Sequence, residues 1–160
     1  DIDLEGLDSV LTKVGNVARK MAKDQRSTVI HNRGDVIVEA GPVKFGVENR
    51  EPGIAIHVLG EVEGNEKELL TFDCFDEDPH YHYGPRAKNE RLYVDTVAVP
   101  DPLRWAINLF KGGKLAPMLE RAGYHDHAAR LNPAVVAQKV AEVETVAFKM
   151  RDGRAGGLRT

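Results

Sequence analysis

The fold of this chain is decided by residues 35–58, DVIVEAGPVKFGVENREPGIAIHV. Three short runs of alternating apolar and polar or small residues are separated by Gly41-Pro42 and by Glu51-Pro52-Gly53. Alternation with a period of two is typical of a strand with one buried face, and Gly/Pro clusters mark turns. No helical pattern lies between the runs, so the strands are expected to pair as an antiparallel meander.

Further strand patterns lie on both sides of this stretch. Residues 28–31 precede it and join it through a turn at 32–34. Residues 63–66 form a hairpin connection, and strands are predicted at 69–75 and at 91–97. The sequence therefore predicts a sheet of about five to six strands.

The first 22 residues show a helical period instead. Their apolar side chains recur at steps of three and four, which predicts an amphipathic helix over residues 4–22. The apolar stripe consists of Leu4, Leu7, Leu11, Val14, Ala18 and Met21. It is narrow enough to serve as a seam between two helices, although packing on the chain's own sheet is the alternative.

Helical signals return after residue 100. Asp101-Pro102 and Asn132-Pro133 each combine a capping side chain with a proline in the first turn, where its missing N–H costs nothing. A helix between these two is expected to end at Gly123. We predict an α+β fold: an antiparallel β-meander of about five to six strands, an N-terminal amphipathic helix and three C-terminal helices. Residues 1–150 form one domain, and residues 151–160 form a basic flexible tail.

Composition narrows the functional classes. The 160 residues include 42% hydrophobic and 29% charged residues, as in ordinary globular domains. The formal net charge of −3 argues against a general nucleic-acid-binding protein. Cys74 is the only cysteine, which excludes an internal disulfide. No apolar run approaches the roughly 18 residues that span a bilayer, and no signal-peptide pattern is present, so a cytoplasmic protein is expected.

The densest chemistry lies in residues 73–83, DCFDEDPHYHY. In an extended segment His80 and His82 point to the same side, with their Cα atoms roughly 6.5–7 Å apart. Two imidazoles at that spacing can hold one divalent ion, with Asp73 or Asp76 as a further ligand; zinc, manganese, iron and nickel are the candidates. The alternative is a polar surface row that stacks and hydrogen-bonds without any metal.

Four other residues are candidates for completing such a site. His57 lies on a preceding strand, Glu90 follows the histidine pair, and His125 and His127 belong to a predicted loop between helices. No phosphate-binding glycine loop and no Gly-x-Ser-x-Gly nucleophile motif is present. Cys74 shares a strand face with apolar residues, so it is interpreted as buried filler rather than as a nucleophile.

The segment D-C-F-x-x-x-P-H-Y-H-Y, followed by Asn89-Glu90 and by residues 101–105 (DPLRW), resembles a bacterial domain family known mainly from uncharacterised proteins. The resemblance extends over about residues 43–123. The family has no established activity, so the resemblance implies no catalytic residue. It implies that the His-Tyr-His segment is a feature of the family.

Two functions from different classes follow. The leading hypothesis is a small non-catalytic binding or assembly module, an accessory subunit or homo-oligomer that works through helix 4–22 and tail 151–160. The alternative is a metal-dependent enzyme of hydrolase or isomerase type that uses His80 and His82. The acidic centre disfavours a ribonuclease-like protein with histidine acid–base chemistry. The sequence leaves open whether the chain is an enzyme.

Overall fold

The computed structural model describes residues 28–30 and 35–159, and its centre is a seven-stranded antiparallel sheet. Every strand pairs with its neighbours in sequence, so the predicted meander is confirmed, but it has seven strands and not five to six, because residues 80–83 form a strand of their own. The strands are β1 (Thr28–Ile30), β2 (Val36–Ala40), β3 (Val43–Arg50), β4 (Gly53–Val62), β5 (Asn65–Phe75), β6 (His80–Tyr83) and β7 (Arg91–Tyr93). The predicted helix over residues 4–22 and the turn at 32–34 lie outside the described residues.

The hairpin between β4 and β5 follows directly from its sequence. Val62 pairs with Asn65, so Glu63 and Gly64 alone make the connection. Both have positive φ, 53° and 83°, which is the backbone of a two-residue turn that matches the twist of the strands. Glycine adopts this conformation without a steric penalty.

The register divides the sheet into an apolar face and a polar face. One face carries the row Val47, Ile56, Phe72, Tyr81 and Leu92 on β3 to β7. The next row, on the opposite face, is Gly46, His57, Thr71, His82 and Arg91. Beside it on that polar face lies the row Glu48, Ala55, Asp73, His80 and Tyr93. Because side chains alternate along each strand, the two candidate histidines share the polar face.

One irregularity changes which residues meet on the polar face. The pairing of β4 with β5 shifts between Val58 and Leu59, so that Val58 pairs with Leu70 while Leu59 pairs with Glu68. Leu69 is the extra residue of this β-bulge, and its side chain is fully buried. Glu68 and Thr71, three residues apart, would point to opposite faces of a regular strand. The bulge places both on the polar face, where the Thr71 hydroxyl donates to Glu68 Oε1 over 3.0 Å.

Strand β7 is shorter than the predicted strand at 91–97. Its last partner is His80, opposite Tyr93, because β6 begins there. Beyond this point the chain turns: the Asp95 carboxylate accepts the Val97 N–H over 2.9 Å, and the Val97 side chain is 90% exposed. The Val94 N–H still donates to the Pro79 carbonyl oxygen over 2.9 Å, but no strand of the described residues lies beside residues 95–97, so their apolar alternation does not extend the sheet.

The described part of the chain contains four α-helices, one more than the three predicted for the C-terminal region. They are α1 (Pro102–Lys111), α2 (Leu115–Arg121), α3 (His125–Arg130) and α4 (Pro133–Arg159). Both predicted start signals act as expected, since Asp101 Oδ1 accepts the Arg104 N–H and Asn132 Oδ1 accepts the Ala134 N–H. Helix α3 is the addition: a single short helix occupies the segment predicted as a loop.

The helices cover the apolar face of the sheet. Phe110 on α1 packs edge-on against Phe45 and Phe72, with ring centroids 5.2 and 5.1 Å apart. Helix α4 contributes Val140 and Val143, which are fully buried. Each such side chain removed from water stabilises the fold by roughly 1.5–3 kcal/mol. The core therefore lies on one side of the sheet.

Helix α4 continues through residues 151–159, for which a tail was predicted. Arg151 Nη1 donates to Asp101 Oδ1 over 3.1 Å, and Arg154 donates to the carbonyl oxygens of Arg50 and Glu51 over 2.6 and 3.0 Å. These contacts tie two basic side chains to the start of α1 and to the turn between β3 and β4. None of the helices in the described residues combines the length and the apolar character needed to cross a membrane.

Candidate metal centre

Three predicted ligands meet on the polar face near the end of the sheet. Asp73 on β5 lies opposite His80 on β6 in the register, and His82 follows two residues later. Asp73 Oδ2 lies 2.9 Å from His80 Nε2 and 3.4 Å from His82 Nε2. The ligand atoms of the three side chains lie within 4.8 Å of one another. The expectation that both imidazoles project together beside a carboxylate therefore holds.

The hydrogen bonds of His80 show how its ring is oriented. Its Nδ1 lies 2.9 Å from the carbonyl oxygen of Asp78, which can only accept, so Nδ1 carries the proton. In a neutral ring Nε2 then has a free lone pair, and this lone pair faces the Asp73 carboxylate. Two acceptors at 2.9 Å repel each other unless a proton or another cation lies between them. A histidine held through Nδ1–H by a backbone carbonyl is the usual arrangement of a metal ligand.

The carboxylate of Asp73 is buried, and few neighbouring groups offset its negative charge. The residue is 5% exposed, and its Oδ1 has no hydrogen-bond partner. The nearest cation is Arg50, whose Nη1 lies 4.0 Å from Oδ1, beyond hydrogen-bonding distance. Burying a carboxylate is costly unless it is paired or binds a metal. The arrangement thus favours a positive charge close to Asp73.

Aromatic rings flank His80, which stacks in turn on His82. The imidazoles of His80 and His82 stack with centroids 5.9 Å apart, and His80 also contacts Phe75 and Tyr93. Burial lowers the pKa of His82, although the charges of Asp73 and Glu68 act in the opposite direction. These contacts hold the imidazoles in fixed orientations, as ligands of a single ion require.

A second polar cluster, the His57 cluster, lies beside this group and consists of Glu48, His57 and Glu68. His57 Nε2 is 2.8 Å from Glu48 Oε1, and its Nδ1 is 3.2 Å from Glu68 Oε2. Burial lowers the pKa of His57, but the hydrogen bonds to Glu68 and Glu48 together raise it above its ordinary value. His57 therefore lies between two carboxylates and does not join the ligands around Asp73.

Asp76 and Glu90, which were candidate ligands, lie away from the group. Asp76 follows the end of β5, its side chain is 82% exposed, and it faces Arg154 at 4.0 Å. Glu90 pairs with Arg121 on helix α2 over 3.0 Å. Each of these carboxylates has a cation of its own on the helical side of the molecule.

The histidines of helix α3 lie elsewhere too. His125 is exposed and pairs with Glu120 on the surface. His127 is buried, and its Nε2 lies 2.9 Å from the carbonyl oxygen of Glu61, which accepts the hydrogen bond. Its ring packs edge-on against Tyr124. His127 is a structural residue that ties α3 to the end of β4.

Sequence reasoning missed Arg50, Glu48 and Glu68. The register of β3 places Glu48 opposite Ala55 and hence beside His57, and the Leu69 bulge brings Glu68 to the same place. The alternation around Val43–Val47 indicated the face of Glu48. No signal in the sequence indicated the bulge.

A family model described as Domain of unknown function (DUF7700) matches residues 37–147, which is more than half of the chain. The match is consistent with the resemblance to an uncharacterised domain family, and it includes all of β3 to β7. No curated protein and no solved structure matches the chain significantly.

Proposed function

This chain belongs to the DUF7700 family, and we propose that it binds a divalent transition metal through Asp73, His80 and His82. The proposal rests on one observation. The Nε2 atoms of both imidazoles converge on Oδ2 of a buried carboxylate, at 2.9 and 3.4 Å. Replacing these direct contacts by coordination to a shared ion requires only a small outward movement of the side chains, since metal–ligand bonds are about 2.0–2.2 Å long.

The donor set indicates the class of metal. Two imidazoles and one carboxylate suit zinc, iron, manganese or nickel rather than calcium or magnesium, which prefer oxygen ligands alone. Structural zinc sites usually have four protein ligands, whereas three protein ligands leave a position for water or substrate. The same donor set thus supports a metal-dependent enzyme of hydrolase or isomerase type, in which the ion polarises a carbonyl group or activates a bound water.

A protonated pair is the competing explanation for the same distances. If His80 is an imidazolium, it donates from Nδ1 to Asp78 and from Nε2 to Asp73, and no metal is needed. The two explanations differ in what they predict for a protein loaded with metal. Zinc that binds through the three side chains displaces the ring proton, so stoichiometric uptake that depends on His80 and His82 favours the metal site.

Metal analysis tests the proposal directly. The protein is purified without a His tag, dialysed against zinc, cobalt or manganese, and measured by inductively coupled plasma mass spectrometry. We expect one bound ion per chain in the wild type and none in His80→Ala/His82→Ala. His125→Ala removes an exposed imidazole outside the group and serves as the control, with wild-type metal content expected. Equal metal content in the wild type and in the double variant would refute the proposal.

The binding or assembly function inferred from the sequence is also a proposal. It assigns a protein partner or a second copy of the chain to helix 4–22 and to the basic end of the chain. Light scattering before and after deletion of residues 1–24 tests the helix as a seam. A chain that is monomeric in both forms and recovers no partner from lysate would contradict the assembly proposal.

A further inference from the structure

Arg50 lies beside the carboxylate of Asp73, and its guanidinium group is only partly engaged by the protein. It lies 3.9 Å from Glu48 Oε2 and 4.0 Å from Asp73 Oδ1, and its side chain is 48% exposed. Within the described ranges, its side chain makes ion pairs at these distances but no hydrogen bond. A guanidinium carries five N–H donors in a planar fork that matches a carboxylate. Here the fork is available to a ligand from solution.

The position of Arg50 is nevertheless defined. Its guanidinium carbon lies 5.9 Å from the centre of the Phe75 ring, an attractive contact between a cation and an aromatic face. Phe75 in turn contacts His80. Arg154 holds the backbone of Arg50 by donating to its carbonyl oxygen over 2.6 Å. Phe75 and Arg154 thus keep the guanidinium group beside the proposed ion.

Metal binding would reverse the sign of the charge at this place. Asp73 contributes one negative charge, and a divalent ion with neutral imidazoles turns the group into a site of net charge about +1. Arg50 adds a second positive charge, and the His57 cluster, with two carboxylates and one imidazole, offsets part of it. The loaded site therefore attracts an anion to the open position of the metal.

We propose, on the assumption that the metal site above is correct, that Arg50 binds the carboxylate of a small organic anion that also ligates the metal. A carboxylate offers two oxygens, of which one can ligate the ion at about 2.1 Å while the other accepts from a guanidinium N–H at about 2.8 Å. The ring of Tyr93, which contacts His80 and is 64% exposed, provides a surface for the organic part of the ligand. The ligand class is a small carboxylic acid anion, and Arg50 is its recognition residue.

The test uses the full chain loaded with cobalt(II), whose visible absorption changes when a ligand enters the metal's coordination sphere. Acetate is titrated into the wild type, Arg50→Met and Arg50→Lys. We expect Arg50→Met to weaken acetate binding about tenfold and Arg50→Lys to weaken it less, since lysine keeps the charge but lacks the fork. Arg91→Met is the matched control: Arg91 lies on the same face opposite His82, and its removal is expected to change acetate binding less than twofold.

The outcomes separate the two proposals. A wild type that takes up no cobalt refutes the metal site and this inference together. Cobalt uptake with equal acetate affinity in the wild type and Arg50→Met overturns the role of Arg50 alone, and so does a larger effect of Arg91→Met. Inorganic phosphate that binds more tightly than acetate in an Arg50-dependent manner overturns the assignment to carboxylates. Cobalt content measured for each variant shows that the site itself is intact.

Discussion

His80 Nε2 lies 2.9 Å from Asp73 Oδ2, while the other nitrogen of the same ring is held by the backbone carbonyl of Asp78. The first contact joins two adjacent strands, and the second fixes the ring just after the turn that leads into β6. An imidazole constrained at both nitrogens pays little conformational entropy when it binds an ion. The proposed metal site would therefore require little rearrangement of His80.

Asp73→Asn tests the contribution of the carboxylate. The amide keeps the shape of the side chain but removes the negative charge and one strong ligand, so zinc affinity is expected to fall more than about 100-fold; loss of an outer-shell partner alone costs about 10–100-fold. Urea unfolding measures the effect. At a zinc concentration 100 times the wild-type Kd, the wild type should gain about 2.7 kcal/mol of stability, and the variant almost none. An equal gain in both proteins would contradict the role of Asp73.

Gly84→Ala tests the close backbone packing just after strand β6. A Cβ at this position would lie 2.1 Å from the carbonyl oxygen of Glu68 and 2.9 Å from that of Leu69, so backbone would have to move. The Gly84 N–H also donates to the Leu69 oxygen over 2.9 Å. We expect a loss of about 2–4 kcal/mol in the free energy of unfolding, measured in urea.

Gly153→Ala is the matched control for that substitution. Gly153 lies on the exposed side of helix α4, and a Cβ there meets no atom within 4 Å. Alanine in a helix is favoured over glycine, so this variant should be more stable by about 0.5–1 kcal/mol. If Gly84→Ala lowers the free energy of unfolding while Gly153→Ala raises it, the loss of stability arises from the backbone clash just after β6 and not from the alanine itself. A Gly84→Ala protein as stable as the wild type would show that β5 and β6 adjust freely.

The sheet was readable from sequence because its strands carry a strict alternation. Ile56 and Val58 with His57 between them already indicate which face is buried, and the same rule puts His80 and His82 together. The sequence did not show which carboxylate lies beside the two histidines. Asp73 and Asp76 were equal candidates in sequence, and they separate only because Asp73 pairs with His80 whereas Asp76 lies past the last paired residue of β5.

The other contacts described above depend on structural features that leave no pattern in the sequence. The bulge at Leu69 shifts the pairing of β4 with β5 by one residue and brings Glu68 next to His57. No residue pattern in the sequence predicts this bulge. Helix α3 was missed because its six residues are too few to show a periodic apolar stripe. Long-range contacts such as that of Arg154 with Glu51 follow from the packing of α4 and not from any local pattern.

Cys74 is expected to react slowly in the native protein. Burial raises the pKa of its thiol, and the charges of Asp73 and Asp101 raise it further, so the reactive thiolate is scarce at neutral pH. At pH 8 its reaction with a disulfide reagent such as DTNB should be at least about tenfold slower in buffer than in urea. Equal rates in the two conditions would show that the thiol is accessible and would contradict its interpretation as buried filler.

His57→Gln is expected to change the acid sensitivity of the protein through Glu68. The hydrogen bond with His57 is the largest cause that lowers the pKa of Glu68, from 4.5 to about 2, against the opposing effect of burial. A carboxyl group with a lowered pKa stabilises the fold above its unfolded pKa, and this stabilisation is lost as the pH falls from about 4.5 towards 2. The raised pKa of His57 acts in the opposite sense, because its contribution is complete below 6.5 and is lost as the pH rises through its folded pKa.

The His57 cluster should thus stabilise the metal-free protein most between about pH 4.5 and 6.5. In His57→Gln, carbon-13 NMR titration in the presence of a chelator should show the pKa of Glu68 returning from about 2 towards 4.5, and unfolding experiments should show a flatter dependence of stability on pH in the acid range. His125→Gln removes a histidine that pairs with Glu120 on the surface and should leave Glu68 unchanged. If Glu68 titrates identically in the wild type and in His57→Gln, the bulge-dependent contact between them does not form in solution.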